Sequence, residues 1–167
     1  MGKKSVKENK NVYQLAREAM ELTREKAAEQ MVYVSSDRIE KIESEKSIPH
    51  PDEIVTMAEA YKAPELKNYY CSNECPLGRD NVPRLELKGL SQIVLEMLAE
   101  LNSVNKEKDR LIEITADGEI TPGEMKDFES IRGELKKIAT SVETLQLWVD
   151  KTIAEGKIDK DILERIK

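Results

Sequence analysis

Leu90, Val94, Met97, Leu101, Val104, Lys108 and Leu111 recur at alternating intervals of four and three residues, and Phe128, Ile131, Leu135, Ile138, Val142, Leu145, Val149 and Thr152 repeat the pattern. Only a period near 3.5 residues keeps so narrow a stripe facing a partner helix, so both stretches are predicted to be long helices with coiled-coil seams. Between them, Asp117-Gly118 is a turn signal, and Thr121-Pro122-Gly123-Glu124 reads as a capping box with Pro at the first helical position. A connection this short predicts an antiparallel helical hairpin. Ile93, Leu98, Ile112, Ile114, Leu147 and Trp148 widen the apolar stripe beyond what one partner covers. Two hairpins are therefore expected to close into a four-helix bundle, symmetric dimerisation being the default. Leu90, Val94, Met97, Leu101, Ile131, Leu135, Ile138, Val142, Leu145 and Trp148 are the expected dimerisation residues.

The remaining composition agrees with an all-α class. Of 167 residues, 36% are charged, while only seven are Gly and six Pro. Lys and Arg total 27 against 33 Asp and Glu, a net charge of −6, so the chain has no blanket attraction to polyanions. No apolar run approaches the ~18 residues of a membrane span, and Met1 to Lys10 is basic without the apolar region of a signal peptide. A cytoplasmic, reduced setting is expected, with no membrane association. Two cysteines and one histidine leave little material for a metal site, and no cofactor is expected. There is no Gly-rich phosphate loop and no nucleophile with a plausible histidine partner, so no catalytic activity or small-molecule substrate is expected.

Turn formers concentrate between Cys71 and Glu86, which reads as a linker between two halves of different architecture. The expected domains are a flexible basic arm at 1–10, a domain of five short helices at 11–70, a Cys- and Pro-containing linker at 71–86 and the hairpin at 87–167. In the first half, Val12, Leu15, Ala16, Ala19 and Met20 share one face of a first helix. Thr23 can cap a second helix carrying Ala27, Ala28 and Met31. Ser35 or Ser36 can cap a third, with Asp37 favourable against its dipole and Ile39 and Ile42 as buried anchors. Pro51, Asp52 and Glu53 suit the start of a fourth, and a fifth lies near Leu66 to Tyr70.

Residues 11 to about 66 resemble the helix-turn-helix domain of the lambda-repressor and Cro type, the xenobiotic-response-element family. The resemblance rests on Leu15 and Arg17, on Thr23-Arg24-Glu25-Lys26-Ala27-Ala28-Glu29, and on Ser35 to Glu43. It continues in Pro49 and in Ile54, Met57, Ala58 and Tyr61 at the family's spacing. It implies a sequence-specific, dimeric regulator of transcription bound to double-stranded DNA, reading the major groove with the helix that starts near Ser35. On that basis Ser36, Asp37, Arg38, Glu40 and Lys41 are the expected base-contacting positions, Arg38 foremost because its planar fork can bridge guanine O6 and N7. Arg17, Thr23, Arg24 and Lys46 are the expected phosphate contacts, with Lys3, Lys4, Lys7 and Lys10 as a basic arm. Val32 and Glu45 stand where the family prefers glycine. Asp37 and Glu40 place carboxylates on the reading face, where an acid is useful only against a cytosine amine. Residues 11 to 70 hold eight basic and twelve acidic side chains, so the alternative is a scaffold used as a protein-interaction adaptor or antirepressor without DNA binding. The stretch from Asn68 to Gly78, with Leu90 to Leu98 and Glu143 to Trp148, resembles a unit attached to such domains in Gram-positive bacteria, a likeness that implies no activity.

Three weaker signals stand beside these. Cys71 and Cys75 lie one helical turn apart and could pool with a second copy's pair to bind metal, could form a reversible disulfide, or could simply pack as small thiols. His50, between two prolines, reads as a cap or surface residue. Glu113 to Glu124 can be laid on a twelve-residue calcium loop, but Glu113 and Thr115 replace the Asp and Asn that the first and third ligand positions require.

Overall fold

The structure is a computed structural model and describes residues 9–166, with every regular element helical. Five short helices come first: α1 (Val12–Ala19), α2 (Arg24–Glu29), α3 (Ser36–Glu43), α4 (Pro51–Ala60) and α5 (Glu65–Tyr69). A π-helical turn, Tyr70–Glu74, extends α5. Two long helices, α6 (Leu90–Thr115) and α7 (Met125–Ala154), and a short α8 (Lys160–Ile166) follow. No helix among the described residues is long and apolar enough to cross a membrane. Lys3, Lys4 and Lys7 lie outside the described residues.

The chain forms two compact units, one of residues up to Arg84 together with those from Val149 onward, the other of Leu85–Trp148. These boundaries differ from the expected ones in two ways. The segment expected as a linker is folded onto the first unit: Cys71 and Cys75 pack against its core, and Asn68 Nδ2 donates to the Pro83 carbonyl at 2.9 Å. A β-carbon on Gly78 would collide with the Cys71 carbonyl oxygen, so the chain after the π turn is closely fitted. The end of the chain also groups with the first unit, where Lys151 Nζ donates to the Lys62 carbonyl and to Glu65 Oε1, both at 2.9 Å. Lys62 is left-handed, and Lys151 neutralises the carbonyl end of α4.

In the first unit each of the first three helices starts on a side-chain cap. Asn11 accepts from Gln14 N, Thr23 from Lys26 N and Ser35 from Arg38 N. The core joins Tyr13, Ala27, Val34, Ile39, Ile42, Ile54, Met57, Tyr61 and Leu66. The face of α1 departs from its apolar pattern: Leu15 is 53% exposed and Ala19 is exposed, whereas Gln14 and Arg17 are buried. The reason is polar. Arg17 Nε and Nη2 donate to the two oxygens of Glu43 at 2.6 and 3.0 Å, and Nη1 donates to the Leu22 carbonyl. Arg24 Nε adds a third bond to Glu43 at 2.8 Å, and Asn11 Nδ2 donates to the Ile42 carbonyl. Glu43, 1% exposed, thus ties α3 to both preceding helices.

In the second unit α6 and α7 run antiparallel, joined by Arg110 to Asp127 at 2.8 Å near the turn and by the Ser141 hydroxyl donating to Glu100 at 2.6 Å farther along. Half of the expected box is present: Thr121 N and the Thr121 hydroxyl both donate to Glu124 Oε2, while Glu124 N donates to the Thr121 carbonyl and α7 itself starts at Met125. Ile93, Ile114, Ile131 and Leu147 are buried. The expected seam is rotated. Ile93, Glu100 and Ile114, spaced by multiples of seven, fall on one line of α6, while Leu90, Leu101, Leu135 and Val142 remain 40%, 45%, 43% and 51% exposed. Polar partners at Glu100 and Ser141 occupy the contact between the helices, so the leucine stripe lies to one side of it.

Replacing Glu43 by Ala leaves Arg17 buried without its counter-charge, a defect that costs about 3–5 kcal/mol. Denaturant unfolding of Glu43→Ala is expected to show a loss of that size; a loss below about 1 kcal/mol would contradict the anchoring role.

Candidate nucleic-acid interface

The segment between α2 and α3 buries Met31 and Val34 and turns Val32 and Tyr33 outward, 90% and 62% exposed. Val32 needs no left-handed backbone. Glu21 and Glu45 adopt it instead, at φ 56° and 60°, the latter at one of the two positions where glycine is preferred. Inward-facing Ile39, Ile42 and Glu43 then fix the rotation of α3 about its own axis. The opposite side carries exposed Asp37 and Lys41 and half-buried Glu40, which accepts from Lys46 Nζ at 3.0 Å, while half-buried Ser36 lies on the line of Glu43, seven residues before it. That bond holds the Glu40 carboxyl below its ordinary range.

The structure pairs the nominated arginines with acids of their own domain. Arg38, expected foremost at a base edge, donates from Nε and Nη2 to the two oxygens of Glu53 at 2.6 and 2.7 Å. Its remaining donors reach the Ser47 hydroxyl and the Ile48 carbonyl. A guanidinium has five N–H donors, and these four bonds commit the fork to its own domain. Arg17 is 6% exposed and paired with Glu43, so it offers nothing to a phosphate. Burial works against its charge, but the Glu43 hydrogen bond and charge outweigh that, and its pKa is raised. Arg24 shares Glu43, and the Thr23 hydroxyl caps α2. Lys46 is exposed but paired with Glu40, and Lys10 is held by Glu18 at 2.6 Å. Of the positions nominated for base contact, Asp37 and Lys41 remain together on one open face.

Two residues that organise this surface were not expected: Glu43 and Glu53. Each lies at a buried register on a helix whose other inward residues are apolar, Ile39 and Ile42 for one, Ile54 and Met57 for the other. An acid in an apolar register is the signal that an internal cation must answer it. Glu53 also accepts from His50 N at 2.7 Å, closing the start of α4. The Arg38 hydrogen bond holds its carboxyl below the usual range despite burial.

Beside the far end of α3 a cleft of about 230 Å³ is lined by Tyr13, Tyr69, Glu45, Glu74 and neighbours. The Tyr13 hydroxyl donates to Glu74 at 2.9 Å, and the two tyrosine rings meet edge to face at 5.9 Å. Burial, with Glu45 nearby, raises the Glu74 carboxyl above its ordinary range although the Tyr13 bond opposes it. Cys71 and Cys75 are free thiols, half-buried against the core. No three His, Cys, Asp or Glu among the described residues are arranged to hold a metal ion. Glu124, the last position of the calcium-like loop, is turned onto Thr121.

No known protein family, curated protein or solved structure matches the chain.

Arg38→Ala tests the reassigned role. Glu53 has a depressed pKa in the folded chain, so its contribution is fully present above the unfolded carboxylate range and is lost as pH falls through the folded value. Thermal unfolding is expected to show the variant less stable at pH 7 by about 1–3 kcal/mol, with the gap to the unaltered chain closing as the medium is made acid. An unchanged stability at pH 7 would return Arg38 to the pool of free groups.

Proposed function

We propose that this chain is a sequence-specific DNA-binding transcriptional regulator, with α2 and α3 as the helix-turn-helix and α3 as the helix that enters the major groove. The observation that carries the reading is the division of α3. One side is locked by Ile39, Ile42 and Glu43, while Asp37 and Lys41 on the other side are open. A groove-reading helix needs that division, since discrimination between bases requires side chains held in register from behind. Lys26 and Lys41 are exposed and can meet phosphates. The reading includes no catalytic step and no cofactor, and such a regulator works in the cytoplasm.

The α6–α7 pair serves as the dimerisation element. Its exposed stripe contains Leu90, Leu101, Leu135 and Val142, with half-buried Val94, Met97, Ile138, Leu145 and Trp148 beside it. The 26 residues of α6 span about 39 Å. Two helices side by side then offer roughly 800 Å², the area per partner of a standard stable interface. A second copy completing a four-helix bundle covers this stripe and makes engagement of the second head intramolecular, which offsets the weak charge of each head.

A second reading has its own support. The guanidinium groups of Arg17, Arg24 and Arg38 are turned onto Glu43 and Glu53, and apolar Val32, Tyr33 and Ile48 stand exposed near Asp37. Such a surface also suits a basic protein partner, the adaptor or antirepressor role.

Selection of duplex fragments at about 50 mM salt with the full chain separates the two. The regulator reading expects an enriched sequence with two half-sites about 10 base pairs apart or a multiple, and an affinity that falls steeply with salt and is abolished by Lys41→Glu. Failure to enrich any sequence would contradict it, as would a monomer by light scattering.

A further inference from the structure

We infer that the open face of α3 selects cytosine, through the carboxylate of Asp37, where an arginine-bearing helix would select guanine. The inference rests on the DNA-binding reading above and specifies what that surface recognises.

Three observations lead to it. Arg38, the group best suited to guanine, is bound by Glu53, Ser47 and Ile48 within its own domain. Glu40, the other acid of this face, is paired with Lys46. Asp37 is exposed, sits in the first turn of α3, and has no ion-pair partner among the described residues. The first turn is the part of a reading helix that reaches base edges. The foremost side chain offered there is therefore a carboxylate, an acceptor with no donor.

Major-groove edges answer an acceptor unequally. Guanine presents two acceptors, N7 and O6, and thymine presents O4 with its methyl group. Both oppose a carboxylate with like polarity. Adenine offers one donor beside an acceptor. Cytosine alone offers its N4 amine without an adjoining acceptor in the groove. Asp37 thus discriminates as much by rejection as by attraction, because the wrong base leaves a desolvated charge unpaired. Lys41, one turn farther along the same face, keeps the surface from being uniformly repelling to phosphate. The same acids lower affinity for unrelated duplex, which raises the ratio of specific to non-specific binding.

The test is sequence selection from a random duplex library at low salt with the full chain, compared with Asp37→Asn and Asp37→Ala. Asparagine pairs with adenine N6 and N7. The unaltered chain is expected to favour cytosine at one position of each half-site by roughly 5- to 150-fold. Asp37→Asn is expected to move that preference to adenine and leave the other positions as they were, and Asp37→Ala to flatten it. The residue is on the surface, so both variants are expected to lose only its interaction with the helix dipole and to melt within about 4 °C of the unaltered chain. A selected sequence that is the same for all three proteins overturns the cytosine assignment while the DNA-binding reading stands. Enrichment of no sequence by the unaltered chain overturns both.

Discussion

The arrangement of the short helices depends on a carboxylate buried between two arginines. Glu43 receives three charge-assisted hydrogen bonds, two from Arg17 on α1 and one from Arg24 on α2, so a single side chain of α3 sets the position of three helices. Apolar contacts alone would allow α3 to roll or slide, since Ile39 and Ile42 can be accommodated in more than one way. A bidentate ion pair has one good geometry. Desolvating the charges is expensive, and a well-packed apolar replacement can be as stable. What the pair contributes is orientation: it decides which residues of α3 point away from the core.

A second pair extends the same logic to the other side of α3. Arg38 and Glu53 join α3 to the start of α4 and hold the intervening loop through Ser47 and Ile48. Arg17 and Arg38 are thereby committed to building the surface and Arg24 is tethered through its Nε, which leaves the outward chemistry to Asp37, Lys41, Tyr33 and the partly exposed Arg24. Such a domain has little free basic charge to attract unrelated polyanions, so the proposed function requires matched contacts and a second copy for affinity. The half-exposed stripe of the long helices is consistent with that need, because apolar side chains off the contact line gain nothing until a partner covers them.

Much of this was legible in the residues. Thr23 and Ser35 announced the caps they form, Pro51 the start of α4, and Thr121 with Glu124 the turn before α7. The heptad spacing located both long helices. What periodicity could not supply was partner choice. The apolar count on α1 favoured Leu15, but Arg17 went inside because Glu43 was there to receive it, and those residues are 26 apart in the chain. Arg38 looked like a reader of guanine for the same reason that it serves as a clamp: a planar fork matches any planar pair of acceptors, and Glu53 is one. In the long helices, Glu100 and Ser141 found each other across 41 residues and turned the leucine stripe aside. Local patterns specify elements; charges paired over distance specify how the elements face.

The most direct measurement is native-state hydrogen exchange of the α3 amides in the unaltered chain and in Glu43→Gln, which keeps the size of the side chain and removes its charge. If the carboxylate sets the position of α3, protection at Ile42 and Glu43 falls by about 100-fold or more, reporting that the helix opens once the pair is broken. Protection that changes by less than about tenfold would mean that apolar packing alone holds α3 and that the buried carboxylate does not orient it.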